Sequence, residues 1–321
     1  MADRPAPADP LKSLLDARLV LVTGKGGTGK TTFSAALAVL AAATGKRTLL
    51  VEVDSQRPAF TPIFGKEPEF APSRLKDGLD FCNLRWMDAL MAFLTSLVPS
   101  RRVVNLILGN RMVSRFLDFT PGSQEIVVLS ALAEQVPKYD LVVADLPASG
   151  HAFSLLDVTR SALGLFRSGP VRNRAEELRA LLLSDTTRAA LTALPEEMVV
   201  NETIETGDKL RQYELIGHRP LVFLNRATLP TLVAEERELV RRLAEGPLDP
   251  LQAEFVRAGR WEDELEQGTA LSAGRLTEAL GYEPIMIPPA PAGGSPKQIV
   301  ESVAAHLGRQ VGVTRRELQW R

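Results

Sequence analysis

Eight consecutive residues, Gly24-Lys25-Gly26-Gly27-Thr28-Gly29-Lys30-Thr31, concentrate more chemistry than any other stretch of the chain. Their spacing is G-x-x-x-x-G-K-T, and they fall between an apolar run, Leu19–Thr23, and a helical pattern, Lys30–Ala43. Glycines let backbone N–H groups turn inward as a nest for phosphate oxygens, and the N-terminus of the next helix adds partial positive charge. In such a loop Gly26, Gly27, Thr28, Gly29 and Thr32 line the phosphates, Lys30 neutralises the β and γ oxygens, and Thr31 offers its hydroxyl to Mg²⁺. ATP and Mg²⁺ are therefore the expected cofactors. A glycine-rich turn without a ligand is the bland alternative, and the complete pattern in its strand–loop–helix context outweighs it.

Two carboxylates fall where such a loop would need them. Val51-Glu52-Val53-Asp54 ends a strand pattern on Asp54, at the carboxyl edge of a sheet, where ligands bind in open α/β folds. A helix or turn cap is the other reading of Asp54. Tyr139-Asp140-Leu141-Val142-Val143-Ala144-Asp145 is an apolar strand ending in Asp145, the Walker B arrangement that completes a Mg²⁺ shell through water. His151 follows shortly after, but His218 and His306 lie in unrelated segments, so a satisfied loop histidine is expected rather than a metal ligand or catalytic base. Asn225 closes the apolar run Leu221–Leu224 and suits either an adenine edge or a turn cap. The loop Pro288–Gly293, with Pro289, would flank the other side of the base.

A second lysine directly after the first glycine gives Lys25-Gly26-Gly27-Thr28-Gly29-Lys30-Thr31, the deviant form K-G-G-x-G-K-T. Here the sequence resembles the dimeric ATPases that include ParA, MinD, the nitrogenase iron protein and the arsenical-pump and tail-anchored-protein-targeting ATPases. The resemblance implies that Lys25 crosses a dimer interface to the partner's phosphates, and that Asp54 opens switch I and orients or deprotonates the attacking water. Asp145, Gly150 and His151 are similar to D-T-A-P-T-G-H, the switch II segment of the arsenical-pump and targeting branch. Thr120-Pro121-Gly122-Ser123-Gln124-Glu125 looks like that branch's P-G-x-x-E segment. After Asp54 the branch usually has Pro-Ala-His, whereas this chain has Ser55-Gln56-Arg57, which leaves the motion of switch I and the rate of hydrolysis open. The resemblance covers roughly residues 18 to 308. It implies an ATP hydrolase with Asp54, Lys25 and Lys30 as catalytic residues, paired with itself or a paralogous subunit and acting on a protein client. A nucleotide-gated scaffold with little hydrolysis, or a ParA/MinD-like positioning ATPase, are the alternatives.

Short apolar runs alternating with longer helical patterns predict an α/β fold: a P-loop NTPase with a mostly parallel sheet, helices on both faces and an inserted helical subdomain. The expected strands are Leu19–Thr23, Thr48–Val53, Leu141–Ala144, Met198–Val200, Leu221–Leu224 and Ile285–Ile287. Residues 1–17 read as a disordered lead, 18–308 as the ATPase domain and 309–321 as a tail. Helical insertions are expected at about 84–136, with helices Leu84–Val98, Arg101–Leu117 and Ser123–Gln135, and at about 166–195, with a helix Arg172–Ala193. An apolar stripe that includes Trp86, Met87, Leu90, Phe93, Leu94, Val103, Ile107 and Phe116 could be the insertion's core, a dimer contact or a groove for a hydrophobic protein segment.

Composition narrows the alternatives. Thirty-eight basic against 39 acidic residues leave a formal charge of −1, so no nucleic-acid partner is expected. Cys82 is the single cysteine, which excludes an intramolecular disulfide and leaves no pair for a C-x-x-C zinc site, a bridged iron–sulfur cluster or a thiolate arsenite site. The first residues lack the apolar run of a signal peptide, and no stretch reaches the length of a membrane span. A cytoplasmic protein without an integral membrane segment is expected. The C-terminal helix pattern Pro296–Leu307 has too few basic residues on its face for membrane docking.

Overall fold

The computed structural model describes residues 9–55, 57–97 and 122–318. Its centre is a sheet in the order β3-β4-β2-β5-β1-β6-β7-β8. The strands are β1 (Leu19–Gly24), β2 (Thr48–Val53), β3 (Ser73–Lys76), β4 (Leu79–Leu84), β5 (Leu141–Asp145), β6 (Thr187–Ala193), β7 (Leu221–Asn225) and β8 (Ile285–Ile287). All neighbours run parallel except the β3–β4 pair. The central strands are buried along their whole length, as a sheet covered on both faces requires.

Helices α1 (Pro10–Leu15), α2 (Lys30–Ala43), α3 (Thr61–Phe64) and α11 (Pro296–Gln310) contribute to one face. The helix α2 is almost entirely apolar from Phe33 to Ala42, and its small alanines let it lie close to the strands beneath. The opposite face carries α4 (Trp86–Leu97), α5 (Ser123–Ala133), α6 (Ser149–Leu165), α7 (Pro170–Leu182), α8 (Glu197–Gln212) and the C-terminal part of α10 (Pro250–Leu280). Helix α9 (Ala234–Leu243) packs beside α10.

Several expectations need correction. Met198–Val200 is not a strand: it lies in α8, where Val199, Val200 and Thr203 turn one face inward. The strand is β6, inside the span read as the helix Arg172–Ala193. Its Ala, Leu and Arg residues are strong helix formers, and pairing with both β1 and β7 overrides that weak preference. The second insertion is therefore helical over Pro170–Leu182 and returns to the sheet at Thr187. The hairpin β3–β4 was not anticipated, although Asp77-Gly78 between its strands is a hairpin signal, with Gly78 at φ +77°. Residues 9–17 are not a disordered lead either, because Leu11, Leu14 and Leu15 of α1 are buried and Asp9 caps the helix. At the other end, α11 runs on to Gln310 and Leu318 is buried in the same core.

In the first insertion, Leu84 belongs to β4, and the helix begins at Trp86. Leu90 is buried, and Trp86, Phe93 and Leu94 pack against the core, while Met87 points outward. This part of the apolar stripe is the protein's own core. The remainder, with Val103, Ile107 and Phe116 and the expected helix Arg101–Leu117, lies outside the described residues, as do Thr120, Pro121 and Gln56. Among the described residues no helix is long and apolar enough to cross a membrane.

Candidate functional site

The carboxyl ends of β1, β2, β5, β7 and β8 bring Gly24, Asp54, Asp145, Asn225 and Pro289 to one edge of the sheet. The loop from Gly24 to Gly29 leaves β1 there and turns directly into α2. Gly24 has φ +147°, and a Cβ at that position would stand 2.4 Å from the Thr192 carbonyl oxygen, so only glycine lets β1 pass β6 this closely. At Gly29, with φ +92°, a Cβ would meet Asn225 Nδ2 at 2.4 Å. Gly26 and Gly27 are exposed, with open space where a Cβ would be. The loop is thus tight at both ends and open in the middle, the shape of a cradle for an anion.

Side chains brace this cradle from below. Thr28 is buried; its hydroxyl donates to the Lys25 carbonyl at 2.8 Å and shares a hydrogen bond with Thr192 Oγ1 at 2.8 Å. Asn225 Nδ2 donates to the Thr28 carbonyl at 2.9 Å, and Asn225 Oδ1 accepts from the Arg226 amide at 3.0 Å. The amide of Asn225 is thereby engaged on the loop itself. Pro289 is exposed two residues beyond Ile287, which pairs in register with Asn225. Lys30 Nζ donates to the Lys25 carbonyl at 3.1 Å. Burial lowers the Lys30 pKa, while Asp145 and Glu202 pull it the other way.

Asp145 is buried at the end of β5 and accepts from Thr31 Oγ1 at 2.7 Å and from Ser34 Oγ at 3.0 Å. Burial pushes its pKa up to about 6, against the opposing pull of those two hydroxyls and of Lys30. Next to it in register stands Glu52 of β2, 2% exposed, with a pKa raised to about 7 by burial and by the Asp145 charge and held back by the Ala59 amide. Glu52 Oε2 is buried with no hydrogen-bond partner. Thr31, Asp145 and Glu52 form an all-oxygen donor set with an orphaned acceptor, which fits a hard cation such as Mg²⁺ that retains part of its water shell.

The two segments expected to act as switches are engaged elsewhere. Asp54 adopts φ +50°, a conformation Asp tolerates better than most residues, and its Oδ1 accepts from the Trp86 amide at the start of α4 at 3.0 Å. Ser149 begins α6 just after Asp145 and donates to Glu202 of α8, whose other oxygen lies 3.3 Å from Lys25 Nζ. Lys25 is therefore paired within its own chain. Gly150 and His151 are exposed at the start of α6. Thr32 is half-buried on the first turn of α2. Cys82 is buried in β4, and burial pushes its thiol up to about 12.

Among the contacts missed from the sequence are those of Glu52, Glu202, Thr192, Ser34 and the Trp86 amide. For Glu52 the signal was present, since a lone carboxylate in the otherwise apolar or uncharged Thr48–Val53 strand demands an explanation. Glu202 carried no such signal, because its meeting with Lys25 depends on how α8 crosses the sheet edge.

A β-strand, glycine loop and helix, with an acid at the end of the adjacent parallel strand, define a P-loop nucleotide-binding fold. Residues 17–178 match the family model described as anion-transporting ATPase, and the chain belongs to that ArsA-type family. It is 35% identical over 288 residues to ATPase BagA of Mycobacterium tuberculosis, covering 84% of this chain and 81% of the relative. It is 29% identical over 153 residues to ATPase ASNA1 homolog 1 of Paramecium tetraurelia, covering 46% of each chain.

Proposed function

We propose that this chain is a Mg²⁺-dependent ATP hydrolase that works as a dimer, with itself or with a paralogous subunit, and drives a change in a bound protein partner. The observation that carries the reading is the Thr31–Asp145 contact at 2.7 Å with the Lys30 ammonium at the loop beside it. Membership of an ATPase family supports it. In this reading Gly26, Gly27, Thr28, Gly29, Lys30, Thr31 and Thr32 hold the phosphates, while Asn225 and Pro289 flank the base. Thr31, and Asp145 through water, hold Mg²⁺, which neutralises charge on the β and γ oxygens when bound. Catalysis is then positioning and preorganised charge, with Asp54 orienting the attacking water. The location is the cytoplasm, where ATP and Mg²⁺ are available.

Two contacts must break for this chemistry. The half-exposed Lys25–Glu202 pair contributes no more than about 1 kcal/mol, so a partner's triphosphate would outcompete it for the lysine. The Asp54–Trp86 hydrogen bond joins the proposed catalytic carboxylate to the first helix of the insertion, so moving Asp54 to a water would disturb α4. That same contact favours a second reading, a nucleotide-gated scaffold, because it points the carboxylate at a helix end.

Single-turnover cleavage of ATP by wild type and Asp54→Asn, with association state followed by light scattering, tests the proposal. Wild type is expected to dimerise with ATP and cleave it; the Asn variant should dimerise and lose at least ~100-fold in rate. ATP-dependent dimers of wild type that leave the nucleotide intact would replace hydrolysis with the scaffold reading.

A further inference from the structure

Glu52 is the carboxylate that the proposed chemistry does not use. It lies one residue before the end of β2, paired in register with Asp145 on one side and Asn83 on the other. Adjacent strands lie about 4.8 Å apart, and residues in register project to the same face, so the Glu52 and Asp145 carboxylates share one small volume. An unsatisfied buried polar atom costs about 1–3 kcal/mol, and a second carboxylate beside it adds to the penalty. Its neighbours in β2, Leu50, Val51 and Val53, are buried in apolar cores and offer Oε2 no donor. The arrangement is unfavourable for the protein alone and becomes favourable when a cation, or water bound to one, enters beside Asp145.

The other oxygen of Glu52 faces a different task. Oε1 accepts the Ala59 amide, in the loop that follows Asp54. Asn83, also buried, grips the same loop at its start: Nδ2 donates to the Ser55 carbonyl at 2.9 Å, and Oδ1 accepts from the Ser55 amide at 3.4 Å. Switch I is thus tied down at Ser55 by a neutral amide and at Ala59 by a carboxylate whose second oxygen lies free.

We propose that Glu52 is a positioning residue that couples the metal's water shell to switch I: Oε2 accepts from a Mg²⁺-bound water beside Asp145 while Oε1 holds Ala59. Through it, metal entry fixes the loop that presents Asp54. The inference rests on the reading that the glycine loop takes ATP with Mg²⁺.

The test uses the full chain, a non-hydrolysable ATP analogue and Mg²⁺, with two readouts: Mg²⁺ affinity by calorimetry and backbone hydrogen exchange across the switch I loop. In wild type, Mg²⁺ is expected to slow exchange at the Ala59 amide. Glu52→Gln should keep metal-free nucleotide uptake, lose roughly tenfold in Mg²⁺ affinity and lose the Mg²⁺-dependent slowing. Glu52→Asp, which keeps the charge, should recover part of the Mg²⁺ affinity. A Gln variant with wild-type Mg²⁺ affinity, or wild type whose loop exchange ignores Mg²⁺, would overturn the coupling while leaving nucleotide binding intact. Failure of the underlying reading shows separately, as no nucleotide uptake by wild type.

Discussion

Glu52 and Glu266 are buried to nearly the same degree, 2% and 4% exposed, yet their surroundings are opposite. Glu266, on α10, receives the Thr231 amide at 2.6 Å, the Thr231 hydroxyl at 2.8 Å and the Leu232 amide at 3.2 Å, and Arg237 pairs with its second oxygen. Burial works to raise its pKa, but these donors outweigh it and bring the value down to about 2. Glu52 receives the Ala59 amide on Oε1, and the Ser55 hydroxyl and Phe60 amide also hold its pKa back, but burial, with an acid for a neighbour and an orphaned Oε2, raises its pKa to about 7. A buried acid surrounded by donors is architecture: Glu266 pins the loop after β7 onto α10. A buried acid with an orphaned oxygen beside another acid is the arrangement the proposed metal water shell would relieve.

The contrast is sharpest in stability. Glu266→Ala leaves three donors without their acceptor and takes from Arg237 one of its two carboxylates, Asp263 remaining at 3.1 Å, and should destabilise the protein by about 3 kcal/mol in urea unfolding. Glu52→Gln, measured the same way without Mg²⁺, should be neutral or stabilising. A large loss on Glu52→Gln would place both glutamates in the same structural class and break the comparison.

A smaller effect lies in the pH dependence of the metal-free protein. The folded pKa of Glu52 stands above its ordinary value of 4.5, so its favourable contribution is complete below that value and is lost as pH rises through about 7. Between pH 5 and 8 wild type should therefore lose stability relative to Glu52→Gln, on the order of 1–3 kcal/mol, read as a growing difference in Tm. Glu266 has the opposite sign: its contribution is present above 4.5 and is lost as pH falls through about 2, so it is constant over the same window. A Tm difference between wild type and Glu52→Gln that does not change with pH would contradict the assignment.

The same contrast explains what the sequence made legible. The positions of Gly24 to Thr31, Asp54, Asp145 and Asn225 were readable because local rules set them: each lies at or just beyond a strand end, and the loop's glycine spacing is a local pattern. The glycine conformations at Gly24 and Gly29 follow from close approaches to Thr192 and Asn225 that the motif anticipates only in part. Glu202 and the Trp86 amide could not be read, since they reach the site across the fold from α8 and α4. Strand β6 was hidden because Thr187–Ala193 has helix-forming composition and becomes a strand only between β1 and β7. In α1, the spacing of Leu11, Leu14 and Leu15 was legible as a helical stripe, and its polar, proline-rich surroundings masked it.

Nucleotide entry into the glycine loop is the event on which the proposed metal site, switch and dimer all depend. Calorimetric titration of ATP with Mg²⁺ into wild type and Lys30→Ala measures this. Wild type should show saturable uptake, and removing the lysine should weaken it at least ~100-fold, as expected for a charge-assisted phosphate contact in a partly buried site. No uptake by wild type, or equal affinity in the two proteins, would contradict the account.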